Sequence, residues 1–287
     1  MPTVNTNYPK GNFEMSDEQV KELAIQNMQR QEVKSSGFPT EMISLPSQGK
    51  AYPPDNPLSS GTIEMKYMTA REEDILTSQN LIRQGVVLDK LMQSLIVSPI
   101  KFNDLLIGDK NAIMIAARIL GYGKDYVVEV TCPKCKNPNK VEIDLTQLPE
   151  KNISEDAKVI APNLFEFTLP QSKRVIQFQL PTHGLEKKID YALEASRKNA
   201  KKDAVDKELT TRLKTFIVSV DGDEDVKYVT NFVENELFAL DSRAFRTHIK
   251  EIAPDQLFQI DFECNACSHE QEALAFNIDS SFFWPKS

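Results

Sequence analysis

Two short stretches decide the architecture: Tyr126-Val-Val-Glu-Val-Thr-Cys-Pro-Lys-Cys135 and Gln256-Leu-Phe-Gln-Ile-Asp-Phe-Glu-Cys-Asn-Ala-Cys267. Each ends in C-x-x-C, and together they contain all 4 cysteines of a 287-residue chain. A strand-like run precedes each pair, Tyr126 to Val130 and Leu257 to Phe262. Another follows each, Lys140 to Leu145 and Glu272 to Ile278. Strand, C-x-x-C, turn and strand describe a zinc knuckle on a β-hairpin. Two facing knuckles supply four thiolates at tetrahedral positions, a donor set that suits Zn²⁺ and saturates it.

Three other uses of such cysteines exist. Disulfides require an oxidising compartment, and the opening residues lack the apolar run of a secretory signal. A thioredoxin-type motif places its C-x-x-C at a helix N-terminus, whereas here both lie between strands. An iron–sulfur cluster also takes four cysteines, and spacing alone does not separate it from zinc. The expected ligands are Cys132, Cys135, Cys264 and Cys267, around one structural Zn²⁺ with no open position for water. His269 adjoins the second pair but is expected at the surface.

The pairs stand about 130 residues apart, far more than a self-contained ribbon needs. The intervening chain therefore reads as an insertion closed by the metal. The expected fold is α+β: a mostly helical N-terminal part, a four-cysteine zinc-ribbon-like pair of β-hairpins, and a long α+β insertion between the knuckles. The expected divisions are 1–40, an arm with an amphipathic helix; 41–125, a helical domain with a proline-rich loop; 126–146 plus 256–287, the hairpins; and 147–255, the inserted module.

Outward from the cysteines, local signals are plentiful. Ser16 and Gln19 form a capping box before a helix to about Arg30. Leu45 to Pro57 is proline-rich and reads either as a packed loop or as a strand for a neighbour. Gly61 to Met68 alternates as a strand. Thr69-Ala-Arg-Glu72 is a second capping box, opening a helix that contains Ile75, Leu76 and Ile82. Leu88, Leu91, Met92, Leu95 and Ile96 give a helical stripe. Asp109 is expected to cap a buried helix from Ala112 to Leu120, with Gly121 as its stop. In the insertion, Leu164 to Leu169 and Arg174 to Leu180 read as paired strands. Helices are expected at 184–201, 204–220, 231–240 and 242–252, packing through Leu213, Phe216, Ile217, Phe232, Val233, Leu237, Phe245 and Ile249. The terminal Ser281-Phe-Phe-Trp-Pro285 either packs back on a hairpin or anchors a partner.

Catalytic motifs fail one by one. Gly121-Tyr-Gly123 lacks the dinucleotide spacing and follows a helix. Asp221-Gly-Asp-Glu-Asp225 starts like a calcium loop, but Val226 and Phe232 stand where glycine and glutamate are needed. His183, His248 and His269 sit in no nucleophile setting. The chain is expected not to be an enzyme, and no small-molecule substrate is implied. A net charge of −8 disfavours nucleic acid, and acids interleave the basic Lys187–Lys214 stretch, as on a salt-bridged helix. No apolar run is long enough to span a membrane. A nucleic-acid-binding zinc-ribbon protein with a regulatory role is the alternative reading.

A resemblance adds to this. Ser44-Leu-Pro-Ser-Gln-Gly-Lys-Ala-Tyr-Pro53, Met68-Thr-Ala-Arg-Glu-Glu-Asp-Ile-Leu76, Leu105-Leu-Ile-Gly-Asp109, Ala117-Arg-Ile-Leu-Gly-Tyr-Gly123 and Cys132-Pro-Lys-Cys135 occur in order. In this the chain resembles the baseplate hub subunit family of T-even-like contractile-tailed bacteriophages. The likeness covers Ile43 to Cys135 well and the insertion more weakly. It implies a structural component or assembly factor of the baseplate hub, with other hub proteins as partners. The implied location is the virion tail, or the host cytoplasm during assembly.

Overall fold

Residues 39–198, 205–278 and 282–284 are described by a computed structural model. The helix expected from Ser16 to Arg30 lies outside them. Strand β1 (Thr40–Ser44) pairs antiparallel with β2 (Thr62–Lys66), Ile43 opposite Ile63. Between them, the proline-rich stretch packs as a loop, with Leu45, Ala51, Tyr52 and Leu58 buried. Gly49 and Gly61 make this possible. Both have positive φ, and a Cβ on Gly49 would stand 2.3 Å from the Ser59 carbonyl oxygen.

Four helices follow: α1 (Ala70–Thr77), α2 (Gln79–Arg83), α3 (Val87–Leu95) and α4 (Ile107–Tyr122). Thr69 and Glu72 form the expected capping box, but the helix expected to run on through Ile82 breaks at Ser78, whose backbone is extended. Leu91, Met92 and Leu95 bury the α3 stripe. Helix α4 is longer than expected at both ends. Leu106 is its N-cap, so Asp109 lies inside the first turn and is not the cap. Gly123, at φ 83°, ends it instead of Gly121. Gly121 is needed for packing, since a Cβ there would come within 2.8 Å of Met68 Cε.

The chain continues through β3 (Asp125–Thr131), β4 (Pro138–Asp144), β5 (Glu150–Lys151), β6 (Lys158–Ala161), β7 (Leu164–Thr168) and β8 (Val175–Phe178). Then come α5 (His183–Lys198), α6 (Glu208–Phe216), β9 (Ile217–Val220), α7 (Val226–Asn231) and α8 (Ala239–Ile252). The last elements are β10 (Asp255–Gln256), β11 (Gln259–Glu263) and β12 (Glu270–Ala275). The expected β7–β8 hairpin grows into a four-stranded antiparallel sheet, β6-β7-β8-β9.

Two helices differ from expectation. The one placed at 204–220 ends at Phe216, because Ile217-Val-Ser-Val220 pairs with β8. Its β-branched residues gain a sheet neighbour that helical propensity could not foresee. The one placed at 231–240 divides: α7 starts earlier, capped by the Asp225 side chain on the Tyr228 N–H, and passes into a π turn at Phe232–Glu236. The expected core residues do meet. Phe178 and Phe245 pack edge to face at 4.9 Å, and Leu213, Phe216 and Phe232 are buried. Eight α-helices and five small sheets among the described residues make this an α+β protein.

Candidate metal centre

Each cysteine pair sits at the tip of an antiparallel hairpin. Thr131 pairs with Pro138 at the mouth of the first, and Glu263 with Glu270 at the mouth of the second. Along β3, Tyr126, Val128 and Val130 are buried while their neighbours are exposed, the period-two pattern of a half-buried strand. The tips repeat one backbone design. The Cys132 N–H donates to the Asn137 carbonyl and the Lys136 N–H to the Cys132 carbonyl, each at 2.9 Å. Correspondingly, Cys264 N–H donates to the His269 carbonyl and Ser268 N–H to the Cys264 carbonyl, again at 2.9 Å. Lys136 and Ser268, at the same offset, both have positive φ, 63° and 49°. This tight turn aims both sulfurs of each pair the same way.

The two tips face each other. The four Sγ atoms lie within 4.8 Å of one another, the one such cluster of metal-ligating side chains among the described residues. Cys132 Sγ is 3.8 Å from Cys267 Sγ, and Cys135 Sγ is 3.6 Å from Cys264 Sγ. No disulfide joins them. Four thiolates held tetrahedrally at about 2.3 Å from a metal ion stand about 3.8 Å apart. The donor set and its spacing therefore fit a thiophilic metal ion. Cys132 and Cys264 are buried and Cys135 is exposed, so one side of the cluster meets solvent.

The cluster is electrostatically uneven. Burial pushes the Cys264 thiol up, but the Ala266 and Cys267 amides and the neighbouring thiols outweigh it, bringing it down to about 6. Burial and the Cys135 thiol push Cys267 up to about 12. A dication that draws thiolate from all four would even this out.

Asn139 is a residue of this cluster that motif reading misses. Its Oδ1 accepts from the Asn265 N–H at 2.9 Å, its Nδ2 lies 3.7 Å from Cys264 Sγ, and the side chain is buried. The signal is present in β4, where Asn139 occupies the inward series that Val141 and Ile143 continue. The far ends of the hairpins are also joined: β5 pairs with β10, and Leu257 N–H donates to the Pro149 carbonyl at 2.9 Å. The C-terminal aromatics pack back. Phe282 meets Tyr126 edge to face at 5.1 Å, and Phe283 is buried beside it.

Other singled-out residues serve packing. His269 uses its carbonyl on the Cys264 amide. His248 stacks on Phe167 at 4.3 Å. Buried His183, 3.3 Å from Asp89 and 3.2 Å from Lys110 Nζ, is pushed down to about 4 by burial and that ammonium. In the basic stretch, Arg197 pairs with Asp206, Arg212 with Glu186, and Lys214 with Glu234. Asp221 holds Arg174 at 2.7 Å, so the acidic turn is structural. Among the described residues no helix is long and apolar enough to cross a membrane.

No curated protein and no solved structure matches the chain. Its matched region is long and specific, however: residues 40–284, hairpins and intervening elements included, fit the family described as T4 bacteriophage base plate protein, and the chain belongs to that family.

Proposed function

We propose that Cys132, Cys135, Cys264 and Cys267 bind one structural Zn²⁺, and that the protein acts without catalysis as a component or assembly factor of the baseplate hub. The observation that carries the metal reading is the convergence of four sulfurs from hairpins whose cysteines are 129 positions apart. Zinc suits an all-thiolate tetrahedral site better than the harder divalent ions do. The pair of hairpins is read as a split zinc ribbon, and 147–255 as a module inserted into it. Pairing of β5 with β10 near the two ends of that module supports this division.

Family membership supports other tail proteins of the phage as the class of partner and the virion tail as the place of action. The narrower hub assignment rests on the ordered motifs from Ser44 to Cys135. Ion pairing across the basic helices favours protein over nucleic acid as the partner. The test is affinity capture of the tagged full-length protein from infected cells, with nuclease treatment and mass spectrometry. Recovery of hub proteins in nuclease-resistant, stoichiometric amounts is expected. Recovery of nucleic acid with steep salt dependence, and of no tail proteins, would overturn the reading.

A further inference from the structure

The two hairpins leave a groove between them. A cavity of about 490 Å³ is bordered by Val141 to Asp144 of β4 on one side and by Gln259 to Asp261 of β11 on the other. Each hairpin is a two-stranded sheet, so among the described residues neither β4 nor β11 has a strand on its second edge. The strands run in opposite directions past the groove. Asn139 at the start of β4 meets Asn265 just beyond the end of β11, and the Leu257–Pro149 hydrogen bond closes the opposite end.

The register tells which backbone groups face the groove. Cys132 bonds Asn137 at one end of the first hairpin and Leu145 bonds Lys124 at the other. Antiparallel alternation then turns Asn139, Val141 and Ile143 toward β3, and the N–H and C=O of Lys140 and Glu142 to the open edge. Two open edges facing one groove form a template for an extended chain.

Charge and lining define that chain. Val141, Leu148 and Ile260 give the groove an apolar surface, and Glu142, Asp144 and Asp261 are its only charged lining residues. Asp144 is held by Lys124 at 2.7 Å and Asp261 Oδ1 accepts from the Ala273 N–H at 3.2 Å, which leaves the Glu142 carboxylate and Asp261 Oδ2 for an incoming chain. The β11–β12 hairpin carries Asp261, Glu263, Glu270 and Glu272, and no lysine or arginine.

We propose that this groove receives one extended segment of another tail protein, alternating apolar and basic residues, which pairs with the open edges of β4 and β11. The segment joins the two hairpins into one five-stranded sheet, running parallel to one edge and antiparallel to the other. This rests on the reading of the chain as an assembly protein, and the test separates the two.

The probe is an acetylated, amidated heptapeptide alternating valine and lysine, added to the full-length, metal-loaded protein. Binding is read by fluorescence anisotropy, with hydrogen exchange over 138–144 and 259–263. Both segments are expected to gain at least about tenfold protection, with no gain from a valine–glutamate peptide. Glu142→Pro removes an edge N–H that no β3 group uses, a position where an edge strand tolerates proline. Asp261→Lys inverts the charge and gives up the bond that its carboxylate accepts from the Ala273 N–H at 3.2 Å, and Asp261→Asn, which keeps an oxygen for that N–H, separates the two effects. Each is expected to weaken binding about tenfold or more, with metal content unchanged. Equal binding by Asp261→Lys, protection of only one segment, or protection that grows with protein concentration and no peptide would overturn the proposal. The last outcome would assign the groove to a second copy. If Asp261→Lys loses the peptide yet still co-purifies with tail proteins at parental levels, the groove assignment falls while the assembly reading stands.

Discussion

Asn139 and Cys264 connect the two hairpins through a side chain: Asn139 Nδ2 lies 3.7 Å from the Cys264 sulfur while its Oδ1 takes the neighbouring Asn265 N–H at 2.9 Å. The same amide nitrogen donates to the Asn137 carbonyl at 2.9 Å, which fixes it beside the sulfur; a donor so placed stabilises thiolate character and orients the ligand, the part that residues behind a metal's direct ligands play elsewhere. Asn139→Ala should therefore leave the fold intact but weaken metal retention about 10- to 100-fold. Competition against a chromophoric chelator measures this. Unchanged affinity would reduce Asn139 to a packing residue.

Asp109 ties the proline-rich loop to α4. Its Oδ1 accepts from the Ser47 N–H at 2.9 Å and its Oδ2 from the Tyr52 hydroxyl at 2.5 Å, both across more than 50 positions. The carboxyl is buried, and that burial pushes its pKa up against these hydrogen bonds. Asp109→Ala should cost about 2–3 kcal/mol in urea denaturation, because it strands a buried N–H and removes a strong acceptor. Tyr52→Phe should cost about 1–2 kcal/mol, since the hydroxyl also accepts from the Leu106 N–H at 3.0 Å. A parental denaturation midpoint for both would contradict the loop's role as an anchored core element.

Glu72 supplies a pH dependence with a definite sign. Burial pushes its carboxyl up, but hydrogen bonds from Thr69, Lys66 and Ser94 outweigh burial and bring it to about 2 from an ordinary 4.5. A depressed folded-state pKa adds stability above the unfolded value, and that stability is lost as pH falls from 4.5 toward 2. The contribution is on the order of 2 kcal/mol. Wild type should lose that much more than Glu72→Gln between pH 6 and pH 2.5, by denaturant titration at each pH. Parallel pH profiles for the two proteins would refute the assignment.

What can be read from the sequence is local, and what escapes it is tertiary. The two cysteine-tipped hairpins are legible because strand, C-x-x-C, turn and strand are contiguous, and their backbone hydrogen bonds close within six residues. The capping box at Thr69 and the stripe of α3 are legible for the same reason. Ile217 to Val220 reads as helix because only β8 makes it a strand. Asp109 looks like a cap because its partners, Ser47 and Tyr52, are remote in sequence. Gly108 gives no signal at all, yet a Cβ there would stand 1.9 Å from the Pro254 carbonyl oxygen, where α4 meets the chain entering β10. The meeting of the two tips is itself non-local, and only the chemistry of four cysteines makes it predictable.

If four sulfurs form one metal clip, elemental analysis of the purified protein, with thiol titration before and after a mercurial, will reveal it. One zinc per chain is expected, with thiols masked until the mercurial releases the metal. Cys264→Ser should abolish stoichiometric zinc and lower the melting temperature. A folded protein with no bound metal and four freely titrating thiols would rule out the metal clip.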